Sequence, residues 1–521
     1  MNIKTLARAV AALSLILAFV VSSELAAQGR QAAPPEYKEL VAASGLKDPG
    51  LRLKEFERIK AAYPETRYLE AIDASILQAR VELAGSLEDV LALQAEFIAK
   101  GQGPARLLNP STMAVQLVNH PGLAAFDAPK VLSAVLKYRD QALRMAGDPA
   151  SFEGIPKEQQ EYFKTYAVSA VELIAARAYL NAGDAAKAQV SLDTYRKSGG
   201  GTGGNYLYVV GSVAEKLGRD AEALDAYLAA AIEEYPGSAE KARELYTKIH
   251  GSADGFVAAY EAKAKALPFR PEPFKAPAGW KGKAVLAELF TGSECPPCVG
   301  ADLAFDGLVE TFPSKYLAVL VYHLPIPRPD PMMNPAGEVR QKAYTVNSTP
   351  TFVIDGTGKS TGGGGRGAAE GKFSSLRAEI EKLLTEAPGV ALKVQASLAG
   401  DKVRIVFDHD KVVPGAEYIV VLVQNELEHK GGNGVEHHRM VVRDLWVADP
   451  SGPKSAEFDL AVSEKAADAY LTEFEKTYTR TPNFKWETRR NAIARRGLKV
   501  VYFVQEKASG RVLNAVVADV E

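Results

Sequence analysis

The amino-acid sequence predicts a multidomain chain built from three successive architectures: an all-α domain of helical repeats, an α/β domain and an all-β sandwich domain. Three observations carry this reading. Up to about residue 266 apolar residues recur at helical spacing, from Lys283 apolar runs alternate with helical stretches, and after Pro388 the apolar period falls to two. The length of 521 residues suits three domains of about 100–200 residues, each able to bury a core.

The first 27 residues stand apart. Lys4 and Arg8 precede the apolar run Ala9 to Val21, and small residues follow through Ala26 and Ala27, the order of a secretory signal peptide removed near Ala27. Thirteen apolar residues are short for a membrane span, which needs about 20. With 62 Lys plus Arg against 64 Asp plus Glu, the net charge of -2 gives no global attraction for nucleic acid or an anionic membrane.

Residues 36–266 read as helical. "SLEDVLALQAEFIAKG" opens with Ser86 as an N-cap and sets Leu87, Val90, Leu91, Phe97 and Ile98 at helical spacing. "AEALDAYLAAAIEEYP" carries Leu224, Tyr227, Leu228, Ala231, Ile232 and Tyr235 on one stripe until Pro236. "NAGDAAKA" and "KLGRDAEA" share Gly-x-x-Ala-x-Ala, with Gly183 and Gly218 35 residues apart. The echo resembles the mid-repeat turn of tetratricopeptide proteins, whose period is about 34.

Residues 267–282 form a linker in which Pro268, Pro271, Pro273 and Pro277 forbid a helix. Residues 283–387 then read as an α/β domain: strand "KAVLAELFT", a helix over 299–311, strands "YLAVLVYH" and "TFVID", and helix "FSSLRAEIEKLL". Residues 388–521 read as a β-sandwich of roughly immunoglobulin type. Its strands are "ALKVQASL", "KVRIVF", "EYIVVLVQ", "RMVVRDLW", "LKVVYFVQ" and "RVLNAVVADV", with "KASG" as a hairpin turn.

"ELFTGSECPPCVGADLAFDGL" holds the only two cysteines, Cys295 and Cys298. A redox dithiol, half of a zinc site and a small structural staple are the competing readings. Zinc needs further ligands, no other cysteine exists, and His323 is the nearest downstream histidine. A staple across two residues closes so small a loop that it adds little stability. As a redox pair, Cys295 sits where a strand ends and a helix begins, where free N–H groups and the helix dipole lower a thiol pKa from about 8.5. Pro296 and Pro297 offer no N–H, so that of Cys298 is the first able to reach the Cys295 sulfur, and Cys298 is placed to fold back on a mixed disulfide, behind a more exposed Cys295.

Strand, CxxC at the helix start, and "NSTPTFVIDG" together resemble the thioredoxin fold. More narrowly, "ELFTGSECPPC", "VYHLP", "DPM", "RQKAY" and "TP" in this order, with "HHRMVVRDL" and "VVYFVQ" farther on, resemble a group of secreted bacterial thioredoxin-like proteins across residues 283–521. The resemblance implies a Cys295–Cys298 active-site disulfide, a cis proline at Pro350 and a Thr349 backbone facing an extended substrate. Glu288, one residue farther from the first cysteine than the family's buried carboxylate, takes the role of proton acceptor. Glu294 replaces the family's usual Trp before the first cysteine, and its charge would raise the Cys295 pKa.

His323 ends the second apolar strand and is read as lining the cleft, for substrate contact, or as a loop histidine with no active role. Met332 and Met333 are soft metal ligands or gap-filling apolar residues. "DGTGKSTGGGG" lacks the first glycine of a phosphate loop, a position held by Val353, and reads as a mobile loop beside the active site. His429, His437 and His438 flank "KGGNGVE" and are candidate metal ligands, but His437 and His438 are adjacent and on a strand would face opposite sides, which argues against a shared ion. Arg489, Arg490, Arg495 and Arg496 form a basic cluster. The expected function is an exported thiol-disulfide oxidoreductase, periplasmic or secreted, without cofactor or metal. Its expected partners are client proteins bearing thiols or disulfides and a further redox partner, with no nucleic acid and no stable membrane span after signal cleavage. The alternative is a non-catalytic binding scaffold in which the cysteine pair is a local brace.

Overall fold

The computed structural model describes residues 34–521 except 100 and 102, so the expected signal peptide lies outside the described residues. The chain divides at Val257/Ala258 into two compact units. The first is helical and the second contains a mixed α/β sheet together with a smaller second sheet. No helix among the described residues is long and apolar enough to cross a membrane.

The helical unit runs through α1 (Pro35–Ser44), α2 (Pro49–Ala62), α3 (Leu69–Leu83), α4 (Leu87–Ala99), α5 (Ala105–Val118), α6 (Ala128–Met145), α7 (Lys157–Asn181), α8 (Ala185–Lys197), α9 (Gly204–Lys216), α10 (Asp220–Ile232) and α11 (Ser238–His250). Ser86 caps α4 as expected, its Oγ accepting from the Asp89 N–H at 3.1 Å. The glycine echo is a structural one. Gly183 and Gly218 both take positive φ, and just beyond each the same five-residue bond closes the helix, Asp184 N–H to Tyr179 O and Arg219 N–H to Ala214 O, both at 2.9 Å. Ala188 and Ala223, the last residues of the two echoes, are fully buried where neighbouring helices meet. Helix α12 (Phe256–Lys265) straddles the division.

In the second unit the segment expected as a linker is extended but pinned down. Phe269 packs on Phe373, Phe274 on Phe312, and Trp280 Nε1 donates to Leu384 O at 2.8 Å. Strands β1 (Val285–Thr291), β2 (Leu317–His323), β3 (Thr351–Ile354) and β4 (Gly358–Thr361) alternate with helices α13 (Val299–Thr311), α14 (Pro335–Ala343) and α15 (Ala369–Leu383). Then follow β5 (Leu392–Ala399), β6 (Lys402–His409), β7 (Ala416–Glu428), β8 (His437–Ala448), β9 (Ser455–Asp459), helix α16 (Leu460–Thr477), β10 (Leu498–Glu506) and β11 (Val512–Asp519).

The expected division at 387/388 is not a break in the sheet. One eight-stranded sheet runs in the order β11-β10-β7-β8-β2-β1-β3-β4, joined at Val321↔Val441 between β2 and β8, and only β5-β6-β9 form a sheet of their own. A sandwich does exist, but its larger sheet is the continuation of the α/β sheet. Val403, Ile405 and Phe407 of β6 pack on Tyr418, Val420 and Leu422 of β7 and on Val500, Tyr502 and Val504 of β10. The alternate residues Ile419, Val421, Val423, Val501 and Phe503 belong to the α/β core on the other face. Burial on both faces explains why "EYIVVLVQ" and "LKVVYFVQ" are unbroken apolar runs. Helix α16 and strand β4 lie where the sequence suggested only strands and a loop.

Candidate functional site

Strand β1 ends at Thr291, a turn over 292–298 follows, and α13 begins at Val299. Pro296 and Pro297 sit in the first turn, where their missing N–H groups cost nothing. Cys295 and Cys298 are joined by a disulfide. The Cys298 N–H donates to the Cys295 carbonyl at 3.0 Å rather than to its sulfur. Cys295 was expected to be the exposed sulfur, yet both cysteines are 0 % exposed. The reason lies in what surrounds the turn.

On one side, Thr349 places its carbonyl 3.7 Å and its hydroxyl 3.4 Å from Cys295 Sγ, and the same hydroxyl donates to Ile326 O at 2.7 Å. The Thr349–Pro350 peptide is cis, and so is Ile326–Pro327. On a second side, the glycine segment after β4 lies on the turn: Gly364 N–H donates to Pro297 O at 2.7 Å and Gly300 N–H to Gly364 O at 2.9 Å. A Cβ at Gly363 would collide with the Pro297 carbonyl, so glycine is needed for backbone approach, not for phosphate. On a third side, the β7–β8 connection reaches in. Gly432 N–H donates to Glu294 Oε1 at 2.8 Å, and Asn433 N–H to Ser293 O at 3.0 Å. Asn433 Nδ2 lies 3.3 Å from Gly292 O and 3.4 Å from Cys295 O.

Glu288 does not serve the cysteines. In β1 its neighbour Leu289 is paired with Phe352, whose ring stacks on Phe305 of α13 at 5.9 Å, so Leu289 faces α13 and Glu288 faces away. The Glu288 carboxylate, fully buried, accepts from Arg340 Nε at 3.0 Å and Arg340 Nη2 at 2.9 Å. It also accepts from the Tyr322 hydroxyl at 3.1 Å and the Tyr344 hydroxyl at 2.5 Å. Gln505 of β10 completes the network, accepting from Arg340 at 2.9 Å and donating to Tyr344 Oη at 2.9 Å. It is a structural ion pair between β1, α14 and β10.

His323, expected to line the cleft, is buried like the two cysteines. Its Cα pairs with Thr291, which places both on the α13 face. Its Nδ1 bonds Asp330 at 2.9 Å, and Asp330 also accepts from Ser293 N–H at 2.6 Å and Met332 N–H at 2.8 Å. Burial opposes ionisation there, but His323 and the two N–H groups hold the Asp330 carboxyl down at about 2. This pair fastens the start of the cysteine turn to the proline-rich insertion.

Asp302 is a further acidic group beside the cysteine turn that its residue type alone does not mark out. It lies four residues past Cys298, and side chains so spaced share one helix face. Burial pushes its carboxyl up to about 7, the Asp330 charge adds to the effect, and Thr291 and His323 oppose it. Asp306, a further turn along, is also pushed up to about 7, chiefly by burial. The i, i+4, i+8 spacing of Asp302, Asp306 and Glu310 on an otherwise apolar helix was the available signal.

Met332 packs with Leu427 and Val441, in the apolar role. His437 and His438 differ in exposure as adjacent strand residues do, and His438 Nε2 bonds His429 O at 2.9 Å. Burial pushes His438 down to about 3. Among the described residues no three His, Cys, Asp or Glu side chains are grouped as metal ligands. Within the basic cluster, Arg489 pairs with Asp468 at 2.8 Å and Arg495 with Asp401 at 2.9 Å.

The fold and site thus define a multidomain chain whose mixed α/β unit carries a Cys-Pro-Pro-Cys disulfide at the junction of a strand and a helix. No protein-family model, no curated protein and no solved structure matches it.

Proposed function

We propose that the chain is an exported thiol-disulfide oxidoreductase of thioredoxin type, acting on envelope or secreted client proteins through Cys295 and Cys298. The observation that carries the reading is the disulfide between β1 and α13 with the Thr349 backbone at its sulfur. In that position an extended client chain would lie beside Thr349 and Pro350. A two-residue spacing also closes too small a loop to be retained for stability. The helical unit, with its repeated glycine turn, resembles tetratricopeptide repeats and would select clients.

Reduction of a client proceeds in two balanced steps. A Cys295 thiolate attacks one client sulfur and releases the other as a thiolate that takes up a proton. Cys298 then gives up its proton, attacks Cys295 and releases the second client thiol. The client gains the two electrons the dithiol loses, and oxidation is the reverse.

Burial of both sulfurs favours the second reading, a non-catalytic scaffold with the disulfide as a brace. The two are separated by expressing Cys298→Ser and Cys295→Ser in the full chain, quenching with acid and running non-reducing gels. The redox reading expects mixed disulfides with Cys298→Ser and far fewer with Cys295→Ser. Equal adducts for both variants, or none with Cys298→Ser, support the scaffold.

A further inference from the structure

Exchange requires a sulfur of the client to approach the S–S bond in line. Here both cysteines are fully enclosed, although the two prolines between them are exposed. The covers are unlike one another. The glycine segment beside Pro297 and Gly300 is tied by main-chain bonds and continues directly from β4. The β7–β8 connection, residues 429–436, is instead closed on itself. His429 N–H donates to Glu436 O, Gly431 N–H to Val435 O and Val435 N–H to Asn433 Oδ1, all at 3.0 Å, and Lys430 pairs with Glu436 at 3.0 Å. All of these bonds lie within residues 429–436, so none is broken by lifting the connection off the cysteine turn.

We propose that the β7–β8 connection is a lid on the disulfide, latched through Glu294 and Asn433, which must lift before a client sulfur reaches Cys295. The proposal rests on the redox reading above and adds how access to that site is controlled. The latch is four bonds: Glu294 to the Gly432 N–H, the Asn433 N–H to Ser293 O, and the Asn433 amide to the carbonyls of Gly292 and Cys295. Gly431 and Gly432 allow the close approach, since a Cβ at the first would come 2.5 Å from Ser293 O and one at the second would collide with the Glu294 carboxylate. The lid accounts for two sequence features that catalysis alone leaves unexplained: a glutamate before the first cysteine, and a glycine-dense "KGGNG" more than 130 residues away, as the Glu294–Gly432 separation of 138 shows.

The test uses the oxidised full chain without residues 1–27 and reads access to sulfur, not client turnover. Dithiothreitol reduction is followed by alkylation and mass measurement for wild type, Asn433→Ala, the double variant Glu294→Ala with Asn433→Ala, and Lys430→Ala. Asn433→Ala leaves local charge unchanged, removes the two amide latch bonds together with the lid's own Val435 N–H to Asn433 Oδ1 bond, and is expected to speed reduction about threefold. The double variant is expected to speed it about tenfold, the size of one charge-assisted hydrogen bond. Lys430→Ala, which alters the lid but not the latch, is expected to match wild type. Amide exchange at Gly432 and Asn433 should rise in the double variant with β7 and β8 still protected. Reduction rates equal to wild type overturn the proposal, and so does acceleration accompanied by loss of protection throughout β7 and β8. Because no client is involved, a gated disulfide here together with no trapped adduct from Cys298→Ser would keep the lid and sink only the redox reading.

Discussion

Four residues past Cys298, Asp302 sits in the first turn of α13, where an acidic side chain ordinarily gains from the helix dipole and stays ionised. Burial reverses that, pushing the carboxyl up to about 7 from an ordinary value of about 3.9. The folded chain therefore holds a proton that the unfolded chain has released. The sign follows: this group's contribution is fully present below about pH 4 and lost as pH rises through about 7. Asp302→Asn is expected to stabilise the protein by about 1–3 kcal/mol at pH 8 and to change little at pH 4, read from denaturant midpoints. An equal effect at both pH values would refute the assignment. His438 works the other way: burial has pushed it down to about 3, so its contribution is lost as pH falls below about 6.5, and the difference between variant and wild type removes it from the comparison. The cysteines could be read directly from the sequence because their rarity and spacing are local. Asp302 was legible only as one of a row of acids on an apolar helix, because its neighbours Thr291, His323 and Asp330 come from other elements and no local pattern brings them to it.

Among the elements, β1 was legible as a strand from its unbroken apolar run, and Glu288 within that run was legible as exceptional. Its direction was not. A strand buried on both faces gives no alternation to read, and only the Leu289↔Phe352 pairing shows that Glu288 points to α14 instead of α13. A buried carboxylate with a bidentate arginine is costly to break from one side, because the surviving charge is left unpaired. Arg340→Met is therefore expected to destabilise the chain by about 3–5 kcal/mol, measured by chemical denaturation. The conservative Glu288→Gln, which keeps the strand and removes the charge, is expected to lower stability while leaving the rate of disulfide reduction at its wild-type value. A pH-dependent slowing of that reduction in Glu288→Gln would restore Glu288 as the proton acceptor. The β5–β6 hairpin was the easiest element to read, since β6 alternates strictly between exposed and buried positions. Helix α16 was lost among the strands flanking it.

At the scale of the whole molecule, the boundary expected at 387/388 follows a real change in pattern, yet the sheet ignores it. The join is one residue pair, Val321↔Val441, between strands more than a hundred residues apart, and no local period encodes such a pairing. Other ties cross the same line. Lys283, 1 % exposed and paired on its own side with Asp355 and with Glu386 at 3.0 Å, reaches across to the Val512 carbonyl at 3.4 Å. Asn514 binds the Ala284 N–H at 3.1 Å, and Gln505 holds Arg340. Cutting at 387 would strip β8 from β2, leave β2 as a long apolar edge, and leave the Lys283 and Arg340 networks with missing partners. Residues 283–387 alone are thus expected to aggregate or to lack fixed side-chain packing, seen as near-UV circular dichroism close to zero. Residues 258–521, which keep every one of these ties, are expected to unfold in a single cooperative transition and to protect Cys295 and Cys298 from dithiothreitol as the full chain does. A soluble, cooperatively folding 283–387 fragment would show that the α/β layer is independent after all. In that case the C-terminal strands would be an attachment to the disulfide-bearing layer, and the single sheet would no longer explain why the cysteine turn and the β7–β8 connection are built together.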